Sequence, residues 1–385
     1  MKNTFGNSVT VTLFGESHGE MIGATLDGLS PGITVSVEKI ENALGRRRPA
    51  GGIATSRVEK DAFRIISGIY KGKTTGTPIT VLIPNTEMHS TDYENAPRLA
   101  RPGHADYTAR ARYGGYEDPR GGGHFSGRLT AALVALGAIA IEALRLQGIA
   151  VGTHIDAIAG IRDSRLPEDP AKLREVLEML STHSFPVLNA ERGEAMKAAI
   201  LAAAKEGDSV GGILETAVTG MPRGVGEPFF DSVESRLSHM LFSIPAVKGV
   251  EFGDGFALAE MRGSESNDGM TAKVGVVQQL TNHMGGIYGG ITSGAPLRFR
   301  TAIKPTPSIF KPQKTIDLNE YTNAELSLRG RHDPCIVGRA APVADAVTAL
   351  VLVDLLTEAF GEHYLSPTKN NFRLNSDGAI IDDVP

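Results

Sequence analysis

Cysteine is nearly absent. The single Cys335 excludes an intramolecular disulfide framework and fits a reducing compartment. The amino-terminal stretch MKNTFGNS has no apolar h-region, so no secretory signal is expected. The apolar run free of charge from Leu129 to Ile141 falls short of the roughly 20 residues that a bilayer span needs. Basic residues are not in excess: 39 Lys and Arg stand against 44 Asp and Glu, a formal charge of −5. That balance argues against a nucleic-acid partner, which calls for a net basic face. Metal spacing such as C-x-x-C or H-E-x-x-H is missing, so no metal is expected. There is no G-x-x-x-x-G-K-[ST] loop and no G-x-G-x-x-G after a strand. What remains is a soluble, cytoplasmic protein with neither membrane nor nucleic acid as its partner.

Glycine is abundant, with 45 residues in a chain of 385, well above a usual share of about 7%. It is not periodic, which excludes collagen. It clusters in GYEDPRGGGHFSG and HMGGIYGGITSG, as in tight turns or where backbone approaches a ligand; a loop-rich β protein would show the same excess.

Regular elements are legible between the clusters. VTVTLF (9–14) alternates as a half-buried strand does. SVEKIENALGRRR reads as a helix with Ser36 as N-cap, Val37, Ile40 and Leu44 on one face, and Gly45 as its stop. Arg46, Arg47 and Arg48 then fall just beyond it. TGTPITVLI (75–83), KVGVVQQL and APLRFRTAIK read as strands. EDPAKLREVLEML opens with Asp169 and Pro170 at N-cap and N1. DSVESRLSHMLF carries a capping-box-like Asp231 and Glu234. SGRLTAALVALGAIAIEALRLQG and AAPVADAVTALVLVDLL (340–356) are helices apolar nearly all round, hence buried on most sides. Each follows a Gly-Arg pair (Gly127-Arg128 and Gly338-Arg339), a weak hint of internal duplication. Two such helices need cover on both sides, which implies a layered α+β domain with helices between sheets. No low-complexity linker divides residues 1–385, so a single domain is expected.

Four loops carry histidine or acid among glycine, proline and arginine: FGESHGE, RPGHADY (101–107), RGGGHFSGR (120–128) and RGRHDPCIVGR (329–339). Loops hold function more often than packing. A lone loop histidine is more often structural; four such loops, three with arginine close by, point to a polar site. His18, His104, His124 and His332 could meet in space, though nothing in the spacing requires it. GESHG lacks the central serine of a G-x-S-x-G nucleophile elbow. Arg46, Arg47, Arg48, Arg57, Arg101, Arg120, Arg128, Arg329, Arg331 and Arg339 lie in or beside the glycine-rich segments. Guanidinium forks suit carboxylate and phosphate, and Arg128 stands at a helix start, where free N–H groups favour anions. Scattered surface ion pairs are the alternative.

FGESHG, RRRP, ARPGHADYT, RGGG, IPAVKGVEFGDGF, GGIYGGITSG, KPTPS and GRHDPC together resemble, in the same order, the chorismate synthase family. The likeness runs from about Thr10 to Leu355. It implies a β-α-β sandwich with long buried helices between antiparallel sheets, usually assembled as a homotetramer. It implies a lyase at the last step of the shikimate pathway towards aromatic amino acids, converting 5-enolpyruvylshikimate 3-phosphate to chorismate and phosphate. The reaction is an anti-1,4-elimination that requires reduced FMN without net redox change. By position, His18 resembles the family's general acid toward the departing phosphate. His104 is similar to the histidine beside flavin N1. Asp333 is similar to the acid that works with flavin N5 in taking the ring proton. Histidine suits proton donation, with an ordinary pKa of about 6.5.

The same likeness implies substrate contacts from Arg47, Arg57, Arg101, Arg128 and Arg331. It implies cofactor contacts from His124, Phe125, Ser126, His239, Met240, Gly289, Lys304, Pro305, Thr306, Pro307, Ser308 and Arg331. Two departures stand out. HFSGR replaces the commoner RSSAR. After RRRP, AGGIATSR lacks an arginine associated in the family with NADPH, so an intrinsic flavin reductase is not implied and a separate one becomes a candidate partner. A flavin-dependent oxidoreductase and a non-catalytic anion-binding protein are the competing readings. The first lacks a dinucleotide fingerprint; the second leaves His18, His104 and Asp333 unexplained.

Overall fold

The computed structural model describes residues 2–48, 61–86, 98–273, 275–328, 333–367, 373–374 and 380–381. One antiparallel sheet contains β1 (Thr4–Phe5), β2 (Thr10–Gly15), β3 (Met21–Asp27), β4 (Arg64–Ser67) and β5 (Ile79–Pro84), in the order β1-β2-β3-β5-β4. Its strands alternate as their sequences do. Ile79, Val81 and Ile83 point into the core, as do Ile22, Ala24 and Leu26 across from them. The second antiparallel sheet contains β6 (Ala150–Ile158), β7 (Ile161–Arg162), β8 (Gly212–Thr219), β9 (Val247–Phe252) and β10 (Leu297–Ile303), in the order β9-β10-β8-β6-β7.

The helices of eight residues or more are α1 (Val37–Arg47), α2 (Asp106–Tyr113), α3 (Thr130–Leu146), α4 (Pro170–Leu180), α5 (Ala190–Lys205), α6 (Val233–Leu241) and α7 (Val337–Phe360). α3 packs on β3 and β5; α7 packs on β6 and β8; α3 and α7 pack on each other. This is the expected β-α-β layering. The two helices approach so closely that a Cβ on Gly137 would lie 2.3 Å from Ala346 Cβ. By length and composition Gly127–Leu146 and α7 could each cross a bilayer, a property that counting uncharged runs alone had missed. In this fold both serve as the core, and the apolar window of α7 is buried throughout.

α4 and α5 cover the outer face of the second sheet, against β6. All nine residues of β6 are therefore buried. A strand covered on both faces has no period of two, so AVGTHIDAI gave no strand signal.

Local expectations fare unevenly. Ser36 caps α1, accepting from Lys39 N at 3.2 Å, and Asp169 caps α4, accepting from Lys172 N at 2.9 Å. Gly45 does not stop α1, which runs to Arg47 because Arg46 and Arg47 are buried and bonded. Val37 is more than half exposed, off the buried face. The cap of α6 is Ser232, accepting from Ser235 N at 3.0 Å, rather than Asp231; Asp231 pairs with Arg236 instead. KVGVVQQL is not one strand: it takes in the end of Met270–Lys273 and all of Val276–Gln279, which pair antiparallel.

Candidate active site

The FGESHGE loop turns between β2 and β3, closed by Gly19 N donating to Glu16 O at 3.1 Å. Asn85, just past β5, holds this turn through Nδ2 bonds to Glu16 O (3.0 Å) and Gly19 O (2.9 Å). His18 is thereby set over the core's edge, only 8% exposed. Against it lies RGGGH, folded as a tight turn over Arg120–Phe125. Gly121, Gly122 and Gly123 all have φ in the left-handed region, at 58°, 99° and 54°, where a side chain is strained. Space is as decisive. A Cβ on Gly121 would sit 1.9 Å from His18 Cε1, and one on Gly122 would sit 3.1 Å from His104 Cε1. Adjacent glycines therefore receive the two histidines.

Each ring has its Nδ1 occupied. Ser17 Oγ lies 3.1 Å from His18 Nδ1 and 3.3 Å from the carbonyl of Arg120. The carbonyl can only accept, so the hydroxyl proton goes to it, and His18 Nδ1–H donates to Ser17 Oγ. His104 Nδ1 lies 2.9 Å from Asp106 Oδ1, a carboxylate that accepts its proton. Asp106 also takes Arg101 Nε (2.8 Å), Arg101 Nη2 (2.7 Å) and the Arg101 backbone N–H (2.9 Å). Burial pushes the Asp106 pKa up, but the hydrogen bonds from Arg101 and His104 outweigh it and hold the carboxyl well below the usual carboxylate range.

Two further arginines stand behind these loops. Arg47 donates from Nε to Thr130 Oγ1 at 3.0 Å and from Nη2 to Gly127 O at 2.8 Å. Arg128 donates from Nε to Asn85 Oδ1 at 3.2 Å. Ser126 caps the turn into α3, accepting from Arg128 N at 3.2 Å. Asp333 is bonded by Arg339 Nη1, and Arg339 Nε donates to the backbone carbonyl of Arg47 at 2.9 Å. Asp333 thus joins the same network. Lys304 Nζ donates to Gly103 O at 2.8 Å, which brings the 304–308 segment against the RPGH loop; burial, with Lys248 nearby, lowers the Lys304 pKa. Pro307 lies there too, 3.4 Å from where a Gly103 Cβ would be.

Other expected contacts lie differently. His124 donates from Nδ1 to Gly15 O at 2.8 Å, tying its loop to β2. Phe125 packs edge-on to Tyr113. The exposed His239 meets Phe5 edge-on, and Met240 belongs to the core. Gly289 is at the tip of the Ile287–Thr292 hairpin. Among the described residues, no hydrogen bond ties His239, Met240 or Gly289 to the histidine loops. Arg57, Arg329, Arg331 and His332 lie outside the described residues.

Ser17, Asn85 and Asp106 take part without having been singled out, although two of them stand inside quoted motifs; a polar side chain next to a candidate histidine was the available signal. A second polar cluster occupies β6 and β8, where ligand atoms of His154, Asp156 and Glu215 lie within 4.8 Å of one another. Both imidazole nitrogens of His154 are engaged, by Glu215 at 2.7 Å and Asp163 at 3.3 Å. Two carboxylate partners suit an imidazolium.

A sequence model of the family described as chorismate synthase matches residues 9–357. A chorismate synthase of Pyrococcus abyssi is 47% identical over 91% of this chain and 96% of its own length. One of Dehalococcoides mccartyi is 42% identical over 93% of this chain and 98% of its own. A crystal structure of chorismate synthase superposes with a TM-score of 0.73 at 29% identity, covering 93% of this chain and 94% of the other.

Proposed function

This chain belongs to the chorismate synthase family, and from that premise we propose which of its residues carry the reaction. The enzyme is a lyase that converts 5-enolpyruvylshikimate 3-phosphate to chorismate and phosphate, the end of the shikimate pathway. The observation that carries the assignment of residues is the seating of His18 and His104 against adjacent glycines.

In the elimination, the allylic C–O bond breaks and phosphate leaves with its electron pair. A ring C–H bond is lost, and its electron pair completes the new diene. His18, protonated and held through Nδ1 by Ser17, gives a proton from Nε2 to the departing phosphate. Asp333 accepts the ring proton, oriented by Arg339. Arg47, Arg101 and Arg128, with Arg57 and Arg331, hold the substrate's two carboxylates and its phosphate. Away from water such fixed cations act more strongly than in bulk.

Reduced FMN is the proposed cofactor. Held at this site, it would supply transient electron density to the allylic system, with no net redox change. The residues present fit an anionic, hydrogen-bonding group. Thr306 Oγ1 is buried without a hydrogen-bond partner among the described residues, two residues from Lys304 on the segment that meets the RPGH loop. His104, Ser126, Lys304, Pro305, Thr306, Pro307 and Ser308 would hold it. His124 and Phe125 would shape its loop. His239 and Gly289, both exposed, would contribute by another route, such as across subunits, with Met240, next to His239 in the chain, packed in the core. A separate reductase is the proposed source of reduced flavin, since the AGGIATSR stretch lacks the arginine that the family likeness associates with NADPH.

We place the enzyme in the cytoplasm as a homotetramer. Phe229, Phe230 and Phe256, each more than four-fifths exposed, supply apolar surface for subunit contacts. One main core joins both sheets, which supports a single domain over 1–385. The test is an anaerobic assay with reduced FMN and enolpyruvylshikimate phosphate. Chorismate and phosphate are expected in equal amounts with reduced flavin conserved. Stoichiometric loss of reduced flavin would overturn the reading.

A further inference from the structure

Asp61 sits just before β4, and its side chain is wholly buried. Its carboxylate lies between two guanidinium groups. Oδ1 accepts from Arg128 Nη1, and Oδ2 is 3.5 Å from Arg47 Nη1. The backbone holds φ at 43°, a left-handed conformation in a residue other than glycine. Such positions cost energy and persist where the surroundings fix them. The two arginines come from distant elements, the end of α1 and the turn before α3. Both are nearly buried. Brought together without an anion they would repel each other in a poorly solvated setting.

We propose that Asp61 is a positioning residue that fixes Arg47 and Arg128 as one clamp for an anionic group of the substrate. The proposal rests on the reading that these two arginines hold the substrate. The remaining bonds of the pair agree with it. Arg47 is pinned by Thr130 and Gly127, and Arg128 by Asn85, so each guanidinium is held from one side by neutral groups and from the other by the shared carboxylate. Asn85 also holds the His18 turn. The clamp and the proposed acid are therefore set by one framework. The shared carboxylate offsets the repulsion between the two guanidinium groups and spares the cost of burying both uncompensated.

The experiment compares Asp61→Asn and Asp61→Glu with the intact enzyme, in anaerobic steady-state assays with reduced FMN and varied enolpyruvylshikimate phosphate. Asp61→Asn is expected to raise KM at least tenfold with kcat lowered less than threefold and reduced-FMN affinity unchanged. Removing a negative charge alone would tighten anion binding, so a rise in KM reports lost geometry. Asp61→Glu keeps the charge and is expected to recover part of the KM even where both variants lose thermal stability. A KM in Asp61→Asn equal to that of the intact enzyme, or equal to that of Asp61→Glu, overturns the proposal. Arg128→Met separates the two levels. A raised KM there with an unchanged one in Asp61→Asn sinks the role of Asp61 alone. An unchanged KM in Arg128→Met sinks the substrate role of the arginine beneath it.

Discussion

Gly121 stands directly against His18: a Cβ on Gly121 would lie 1.9 Å from His18 Cε1 and 2.2 Å from Nδ1. Neither atom belongs to a freely swinging group, because Nδ1 is held by Ser17. Gly121→Ala must therefore displace the imidazole or open the turn. Turnover is expected to fall about 10²–10⁴-fold, the usual contribution of a positioned acid, matching His18→Ala. The left-handed φ adds a strain of roughly 1–2 kcal/mol, which a melting curve would register as a modest loss. Wild-type turnover in folded Gly121→Ala would remove His18 from the mechanism.

A different dependence is expected at His104. Asp106 stays ionised throughout any assay range, since its pKa is held well below that of an ordinary carboxylate. It fixes the proton on His104 Nδ1. Asp106→Asn keeps the shape but not the charge, and should lower kcat at least tenfold. If the carboxylate acts through His104, the same change made in His104→Ala costs kcat nothing further. Full additivity of the two effects on kcat would show that Asp106 works through Arg101 alone.

These two relationships also show where sequence reading stops. The motif loops advertised His18 and His104 by glycine, and the folded chain places both. The glycines were read as turns; that Gly121 and Gly122 are small because histidines lie on them is a tertiary fact. Asp61 gave no signal, being one aspartate outside every glycine cluster. α3 and α7 were legible because a helix apolar all round has only one place to go. β6 was not, since both its faces are covered and it carries Thr153, His154 and Asp156 inside. Gly45 misled because the roughly 1 kcal/mol cost of glycine in a helix is small beside the buried ion pair of Arg46 with Asp345 at 2.8 Å.

The interior histidine of β6 sets a pH limit on stability. Burial pushes the His154 pKa down, but bonds to Asp163 and Glu215 overcome it and raise the value to about 9. The unfolded value is about 6.5. A group whose folded pKa is raised stabilises fully below the unfolded value and loses that contribution as pH climbs through the folded one. Stability should therefore decline between pH 6.5 and 9, by on the order of 3 kcal/mol at most. Chemical denaturation across that range is the measurement. His154→Gln should be less stable at neutral pH and flatter with pH. Parallel slopes for both proteins would assign the decline to other groups.

His124 replaces an arginine of the commoner family pattern, and its Nδ1–H is committed to the Gly15 carbonyl. Only Nε2 can then take up a proton, and doing so leaves the anchoring bond intact. If Nε2 is turned toward the anionic cofactor, reduced FMN should bind more tightly at mildly acid than at mildly alkaline pH. The gain is bounded by one charge-assisted hydrogen bond, about 1.5–3 kcal/mol. His124→Asn can still donate toward Gly15 but cannot ionise. It should match the intact enzyme at alkaline pH and lose the acidic gain. His124→Ala drops the anchor as well, so its affinity should be weaker at every pH. Anaerobic titration of reduced FMN, followed by absorbance between mildly acid and mildly alkaline pH, compares the three. If the intact enzyme and His124→Asn trace the same curve, Nε2 is turned from the cofactor, and His124 serves only to tie the glycine turn to β2.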